Sequence, residues 1–151
     1  METLGLGLHW NDLEVGYRFR TVGRTVTEAD ITAFISCVGI PELMFTNIEY
    51  IEQESAIRGR AAPGALVFSM AEGLLVQATM MGTGLAFLNM ELNVEGPVLA
   101  GDTIHVECEV IESRPASKGN RGLVRTLNKI VNQRGETVIT YSPLRMMKGR
   151  D

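Results

Sequence analysis

PGALVFSMAEGLLVQATMMG, residues 63–82, is the clearest helical stretch of the chain. Pro63 and Gly64 are typical of a helix start, and Gly82 is typical of a helix end. The apolar residues between them cover more than one helical face, which predicts a helix buried on most sides rather than one lying on a surface. These residues include Leu66, Val67, Met70, Ala71, Leu74, Leu75 and Ala78.

Four runs typical of β-strands follow this helix, at residues 84–98, 102–114, 121–132 and 136–147. The second run alternates Ile104, Val106, Cys108 and Val110 on one face with His105, Glu107 and Glu109 on the other. The short segment QRGE, residues 133–136, predicts a hairpin between the last two runs. One buried helix followed by strands indicates an α+β domain in which an antiparallel sheet wraps a central helix.

The first third of the chain contains weaker elements. Residues 17–27 alternate as a strand does, and a helix is predicted after the capping residue Thr27, with Asp30 completing a capping box and Gly39 ending it. Residues 47–59 predict one or two further helical turns. Between them lies VGIPELMFTN, residues 38–47, an unusually apolar loop with one ionisable residue, Glu42.

Composition narrows the class of protein. The 151 residues are 45% hydrophobic and 21% charged, as in an ordinary globular domain, and we expect one domain over residues 1–151. A net charge of −4 argues against nucleic acid as a partner. No apolar run could span a membrane and no signal peptide is recognisable, so a cytoplasmic protein is expected. We expect Cys37 and Cys108 to be buried thiols, and neither a metal site nor a nucleotide cofactor is indicated.

From about residue 13 to about residue 146, the order of these blocks resembles the MaoC-like dehydratases. The similarity rests on IRGRAAPGALVFSMAEGLL, on VLAGDTIHVECEVIESRP and on NQRGE. The resemblance implies a hot-dog fold and a relationship to the R-specific enoyl-CoA hydratases, and the uncovered edge of the predicted sheet indicates a homodimer. It also implies an acyl-CoA thioester as the small-molecule ligand.

The resemblance further implies an acid–base pair in the apolar loop. The family places an Asp after a Gly and a His five positions later, and these two groups move the protons when water adds to an enoyl thioester. In this chain the Asp position is Ile40 and the His position is Phe45. Neither side chain exchanges a proton, so the usual catalytic pair is absent.

Three other residues are candidates for a catalytic role. By resemblance, Gly64 would present its N–H to the thioester carbonyl, although it is equally well explained as a good helix start. Glu72 lies within an apolar helix, where it either replaces the missing base or pairs with an arginine or a subunit partner. Glu42 is a candidate base or a solvated loop charge. His9 and His105 match no family position.

Arginine or lysine side chains would attract the phosphates of coenzyme A, and the candidates are Arg58, Arg60, Lys118, Arg121 and Arg125. Three functions therefore remain open. The protein is a hydratase or dehydratase that uses other residues, a thioesterase-type hot-dog enzyme, or a non-catalytic acyl-CoA-binding or structural subunit.

Overall fold

The structure is a computed structural model that describes all of residues 1–151. It contains one sheet and four α-helices, with a 3₁₀ turn at Trp10–Asp12. The helices are α1 (Glu28–Val38), α2 (Leu43–Thr46), α3 (Ile48–Gln53) and α4 (Gly64–Leu75). The strands are β1 (Arg18–Arg20), β2 (Arg24–Thr25), β3 (Gly84–Asn89), β4 (Leu92–Val94), β5 (Thr103–Pro115), β6 (Arg121–Val131), β7 (Thr137–Tyr141) and β8 (Leu144–Lys148).

Helix α1 begins and ends as its sequence predicts. The Thr27 hydroxyl accepts the N–H of Asp30 at 3.1 Å, and the Asp30 carboxylate accepts the N–H of Thr27 at 2.9 Å. Gly39 ends the helix in the left-handed conformation, with φ of 70°. The helix buries Ile31 and Ile35 against the core, so both the capping residues and the apolar stripe predicted this helix correctly.

Helix α4 lies at the centre of the fold, as predicted. Its buried residues are Leu66, Val67, Met70, Ala71, Leu74 and Leu75. The α-helix ends before the predicted Gly82, and the chain continues as a π-helical segment, Val76–Met80. The core therefore consists of α4 packed on the inward face of the sheet, where Ile104, Val106 and Val110 are at most 1% exposed.

The sheet is antiparallel, and its main path runs β1-β5-β6-β7-β4, with β8 joining β6 to β3. The predicted strand at residues 17–27 divides at residues 21–23, between β1 and β2, and two later predicted strands are each broken in the middle. Residues 84–98 divide at Met90 and Glu91, and residues 136–147 divide at Ser142 and Pro143. The two breaks are adjacent, because the Ser142 N–H donates to the Glu91 carbonyl at 3.0 Å. The sheet therefore bends at one place, where Pro143 cannot supply a ladder hydrogen bond.

The prediction that both cysteines are buried is wrong for Cys37. Cys37 is exposed on the outer face of α1, whereas Cys108 is 4% exposed on the inward face of β5. Helix α1 is amphipathic, and only the stripe that includes Ile31 and Ile35 faces the core. No helix of the structure has both the length and the apolar character needed to cross a membrane.

Candidate functional site

A largely apolar cavity of about 350 Å³ lies at the N-terminus of α4. Its walls come from α2, from the first turn of α4, from the segment after β4, and from the inward face of β7. Nine of its thirteen lining residues are hydrophobic. The lining residues used below are Phe45, Ile57, Gly64, Val98 and Ile139. The cavity is suited to an apolar group that is held at the start of the central helix.

Gly64 lines this cavity as the first residue of α4. Its N–H has no backbone acceptor, because the carbonyl that would bond it lies outside the helix. The preceding residue, Pro63, has no side chain that could cap the helix. An unpaired N–H at the positive end of a helix can donate to a carbonyl oxygen and stabilise negative charge that develops on it.

Ile40 and Phe45 are the positions at which the resemblance predicts an acid–base pair, and Phe45 lines the same cavity as Gly64. Phe45 is half-buried in α2 and forms part of the cavity wall. Ile40 is also half-buried and packs against the core, and its N–H donates to the Ile35 carbonyl at 3.2 Å. The apolar loop is therefore used for packing, and neither position brings a group that can transfer a proton to the cavity.

Glu42 does not reach this cavity. Its exposed carboxylate accepts the N–H of Leu43 at 2.9 Å and so caps the short helix α2. Its exposed position agrees with the alternative of a solvated loop charge, and its role as a cap was not predicted.

Glu72 is held by two partners on the sheet. The Arg145 guanidinium donates two hydrogen bonds of 2.7 Å to its two carboxylate oxygens, and the Tyr141 hydroxyl donates a third of 2.8 Å. Arg145 is only 9% exposed and also lies over the Phe87 ring, 5.1 Å from its centroid. Glu72 does not line the cavity at Gly64. The structure therefore matches the alternative in which Glu72 pairs with an arginine.

Tyr141 acts as a donor in this network. Burial raises the pKa of its hydroxyl, and the neighbouring Glu72 carboxylate raises it further, so the proton stays on Tyr141 at neutral pH. Burial likewise raises the pKa of the Cys108 thiol to about 12, which leaves it protonated and a poor nucleophile. Tyr141 and Arg145 thus link Glu72 of α4 to the sheet, and Cys108 packs in the core.

The candidate arginines are widely separated. Arg58 is exposed, next to the cavity residue Ile57, and donates to the Glu52 carbonyl. Arg60 donates to the Glu28 carboxylate and to the Phe45 carbonyl. Arg121 begins β6, nine residues before Ile130, which pairs with the cavity residue Ile139, so the path along the strand between them is at most about 30 Å at 3.3 Å per residue.

The remaining candidates make local contacts. Arg125 donates to the Ser142 carbonyl at 2.9 Å, and Lys118 lies in the exposed turn between β5 and β6. His105 pairs with Glu107 at 2.8 Å on the outward face of β5, and His9 lies near the 3₁₀ turn. The structure contains no cluster of three or more His, Cys, Asp or Glu side chains suited to a metal ion.

The cavity is also lined by a charged residue that the sequence did not indicate as a candidate. Glu95 follows β4, and its carboxylate accepts the Thr140 hydroxyl at 3.2 Å. Thr140 and Ile139 are neighbours on β7, so their side chains lie on opposite faces of the sheet. The Glu95 carboxylate is therefore bonded on the face of β7 opposite to Ile139. It is the only titratable side chain among the residues that line the cavity.

The comparisons with known proteins agree with this architecture. Residues 14–141 match the family model described as the FAS1-like dehydratase domain region. A MaoC-like dehydratase from Rhodospirillum rubrum is 29% identical, with 96% of this chain and 99% of that chain covered and a TM-score of 0.84. The R-hydratase PhaJ1 from Pseudomonas aeruginosa is 25% identical, with 96% and 88% covered and a TM-score of 0.78.

A protein from Mycobacterium tuberculosis with a double hot-dog fold matches with a TM-score of 0.86 at 22% identity. This chain covers 46% of that protein, and 99% of this chain is covered. The likeness confirms the predicted hot-dog fold. No curated protein matches the chain.

Proposed function

The chain belongs to the family described as the FAS1-like dehydratase domain region, and on that premise we propose that it binds acyl-CoA thioesters. The acyl group would lie in the cavity at the start of α4, with its thioester carbonyl at the Gly64 N–H. The observation that carries this proposal is an apolar cavity of about 350 Å³ that contains an unpaired helix N-terminal N–H.

The chemistry at this cavity is limited by Ile40 and Phe45. Hydration of an enoyl thioester requires one group to take a proton from water and another to deliver one to the α-carbon. Hydrogen bonding from Gly64 can polarise the carbonyl, but Glu95 is the only titratable lining residue, and its carboxylate is engaged with Thr140. We therefore propose that the protein has the hot-dog fold of the hydratases and binds the thioester, but hydrates it slowly or not at all. The non-catalytic binding subunit is thus favoured over a hydratase that uses Glu72 or Glu42.

A thioesterase remains the second candidate reaction, and it would also need a group that activates water. The same apolar lining of the cavity counts against it, because hydrolysis of a thioester by water requires a general base. We also propose a cytoplasmic location, since Cys37 and Cys108 are both free thiols, as expected in a reducing compartment.

Arg58 is proposed to contact a coenzyme A phosphate at the cavity mouth. We expect Arg58→Ala to weaken the binding of butanoyl-CoA by about tenfold, since a hydrogen bond to a charged group typically contributes about 1.5–3 kcal/mol. Affinity for the butanoyl thioester of pantetheine, which lacks the nucleotide, should not change. Isothermal titration calorimetry measures both affinities.

Arg121→Ala is the matched control, because Arg121 lies at the far end of β6. It should leave both affinities unaltered. If the unaltered protein gives no heat with butanoyl-CoA and gains no resistance to unfolding from it, the proposed function is wrong. If Arg121→Ala weakens CoA binding and Arg58→Ala does not, the phosphates lie elsewhere.

We further propose that two copies of this chain form a dimer through β3. This strand pairs with β8 on one side only, and all six of its residues are exposed. Leu85, Phe87 and Leu88 are between 43% and 45% exposed. An unpaired edge that carries large apolar side chains favours association with a second strand.

A double substitution on β3, Leu85→Arg with Leu88→Arg, should weaken the dimer at least about tenfold by placing like charges in the interface. Sedimentation velocity should show a species of about twice 16.5 kDa for the unaltered protein and one of 16.5 kDa for the variant. Ile111→Arg on β5 is the control, because Ile111 is equally exposed, at 45%, but lies away from β3. A monomeric unaltered protein would rule the dimer out.

A further inference from the structure

Arg60 connects the start of α1 with two segments of the cavity wall. Its Nε donates to the Glu28 carboxylate at 2.7 Å, at the start of α1. Its Nη1 donates to the Phe45 carbonyl in α2. Its own carbonyl accepts the N–H of Ala100 at 2.8 Å, so its backbone is fixed to the segment that carries Val98. The side chain is 21% exposed.

The Phe45 carbonyl needs such a donor. Helix α2 has four residues, so its last carbonyls have no intrahelical partners, and no backbone N–H from a turn or loop bonds to that of Phe45. The Arg60 guanidinium supplies the hydrogen bond. Since Phe45 forms part of the cavity wall, the same contact fixes the position of that wall relative to Gly64.

We propose that Arg60 is a positioning residue that holds Phe45 against the cavity and thereby limits the length of acyl chain the cavity accepts. This inference rests on the proposed thioester binding. It assigns Arg60 a different role from the phosphate contact that the sequence suggested. A guanidinium that is engaged with a carboxylate and a carbonyl has fewer donors left for an anion, and its planar fork suits two fixed acceptors.

Arg60→Met tests this role with two measurements. Hydrogen exchange of the amides in residues 43–47 should become about tenfold faster, because the hydrogen bond that holds the end of α2 is lost. The ratio of affinities for octanoyl-pantetheine over butanoyl-pantetheine should rise at least about fivefold, because the freed wall makes room for further methylene groups. The affinities come from calorimetry with thioesters that carry no nucleotide.

Two variants complete the test. Glu28→Gln keeps Arg60 but weakens its ion pair with residue 28, so it should shift both measurements in the same direction by smaller factors. It replaces Arg60→Met as the test if Arg60→Met does not fold. Arg24→Met removes a comparable ion pair at the start of α1, between Arg24 and Asp30 at 3.0 Å, without involving Phe45. Arg24→Met should alter neither measurement.

The outcomes separate the inference from the proposed function. If Arg60→Met weakens every CoA ester equally and leaves the pantetheine esters and the hydrogen exchange unaltered, Arg60 binds phosphate and the positioning role is wrong. Unaltered exchange together with unaltered chain-length preference also overturns it. If no thioester binds to the unaltered protein, the proposed function fails, and hydrogen exchange alone decides whether Arg60 holds α2.

Discussion

The double variant Ile40→Asp with Phe45→His is expected to hydrate crotonyl-CoA at least about a hundredfold faster than the unaltered protein, whose rate should be near background. General acid–base groups typically contribute about 10²–10⁴ in rate, and the two substitutions supply both at the positions that the resemblance assigns to them. Gly64 already offers the N–H that would stabilise the enolate oxygen. The loss of enoyl absorbance at saturating crotonyl-CoA measures the rate.

The control for this gain is the double variant Ile40→Asn with Phe45→Asn. It introduces polar side chains of similar size to Asp but no group that titrates near neutral pH. Its rate should stay near background. Each double variant must also show a cooperative unfolding transition, because polar groups in a half-buried loop reduce stability. If the Asp/His variant folds and binds thioester but gains no activity, the alignment of Ile40 and Phe45 with the acid–base pair is wrong.

The elements that the sequence predicted well are those fixed by local interactions. Helix α1 is specified by Thr27, Asp30 and Gly39, all within thirteen positions, and each interaction forms as predicted. Helix α4 is specified by a dense apolar pattern. The breaks at Met90 and at Ser142 were missed because each depends on the other strand, about fifty positions away. Pro143 was the one local signal of a break.

The candidate site was harder to predict because its contacts join distant positions. Arg60 meets Glu28 across 32 positions, and Glu72 meets Arg145 across 73. Charge and composition cannot show which arginine is engaged with which carboxylate. The family resemblance located Gly64 and the loop of Phe45, and the structure brings these two residues into one cavity. The resemblance did not indicate that Arg60 holds this loop in position.

The second prediction with a large expected effect concerns the hydrogen bonds and the ion pair of Glu72. Glu72→Ala should lower the free energy of unfolding by about 3–5 kcal/mol, because it leaves the nearly buried Arg145 without its counter-charge. The Tyr141 hydroxyl also loses its acceptor, which adds the cost of an unsatisfied buried donor. Equilibrium unfolding in urea measures the loss. If Glu72 served only as a catalytic base, the same change would leave stability almost unaltered.

Two further variants show whether the loss comes from the unpaired charge. Glu136→Ala removes a carboxylate from an exposed pair with Arg134, where each side chain is more than half exposed, and should leave the free energy of unfolding nearly unchanged. Glu72→Met with Arg145→Met removes both charges of the buried pair, and should recover much of the stability that Glu72→Ala loses, since apolar replacements of buried pairs are often neutral. A double variant that is no more stable than Glu72→Ala would mean that the hydrogen bonds of Tyr141, rather than the charge of Arg145, dominate the network. The recovery therefore distinguishes an electrostatic role for Glu72 from a purely hydrogen-bonding one.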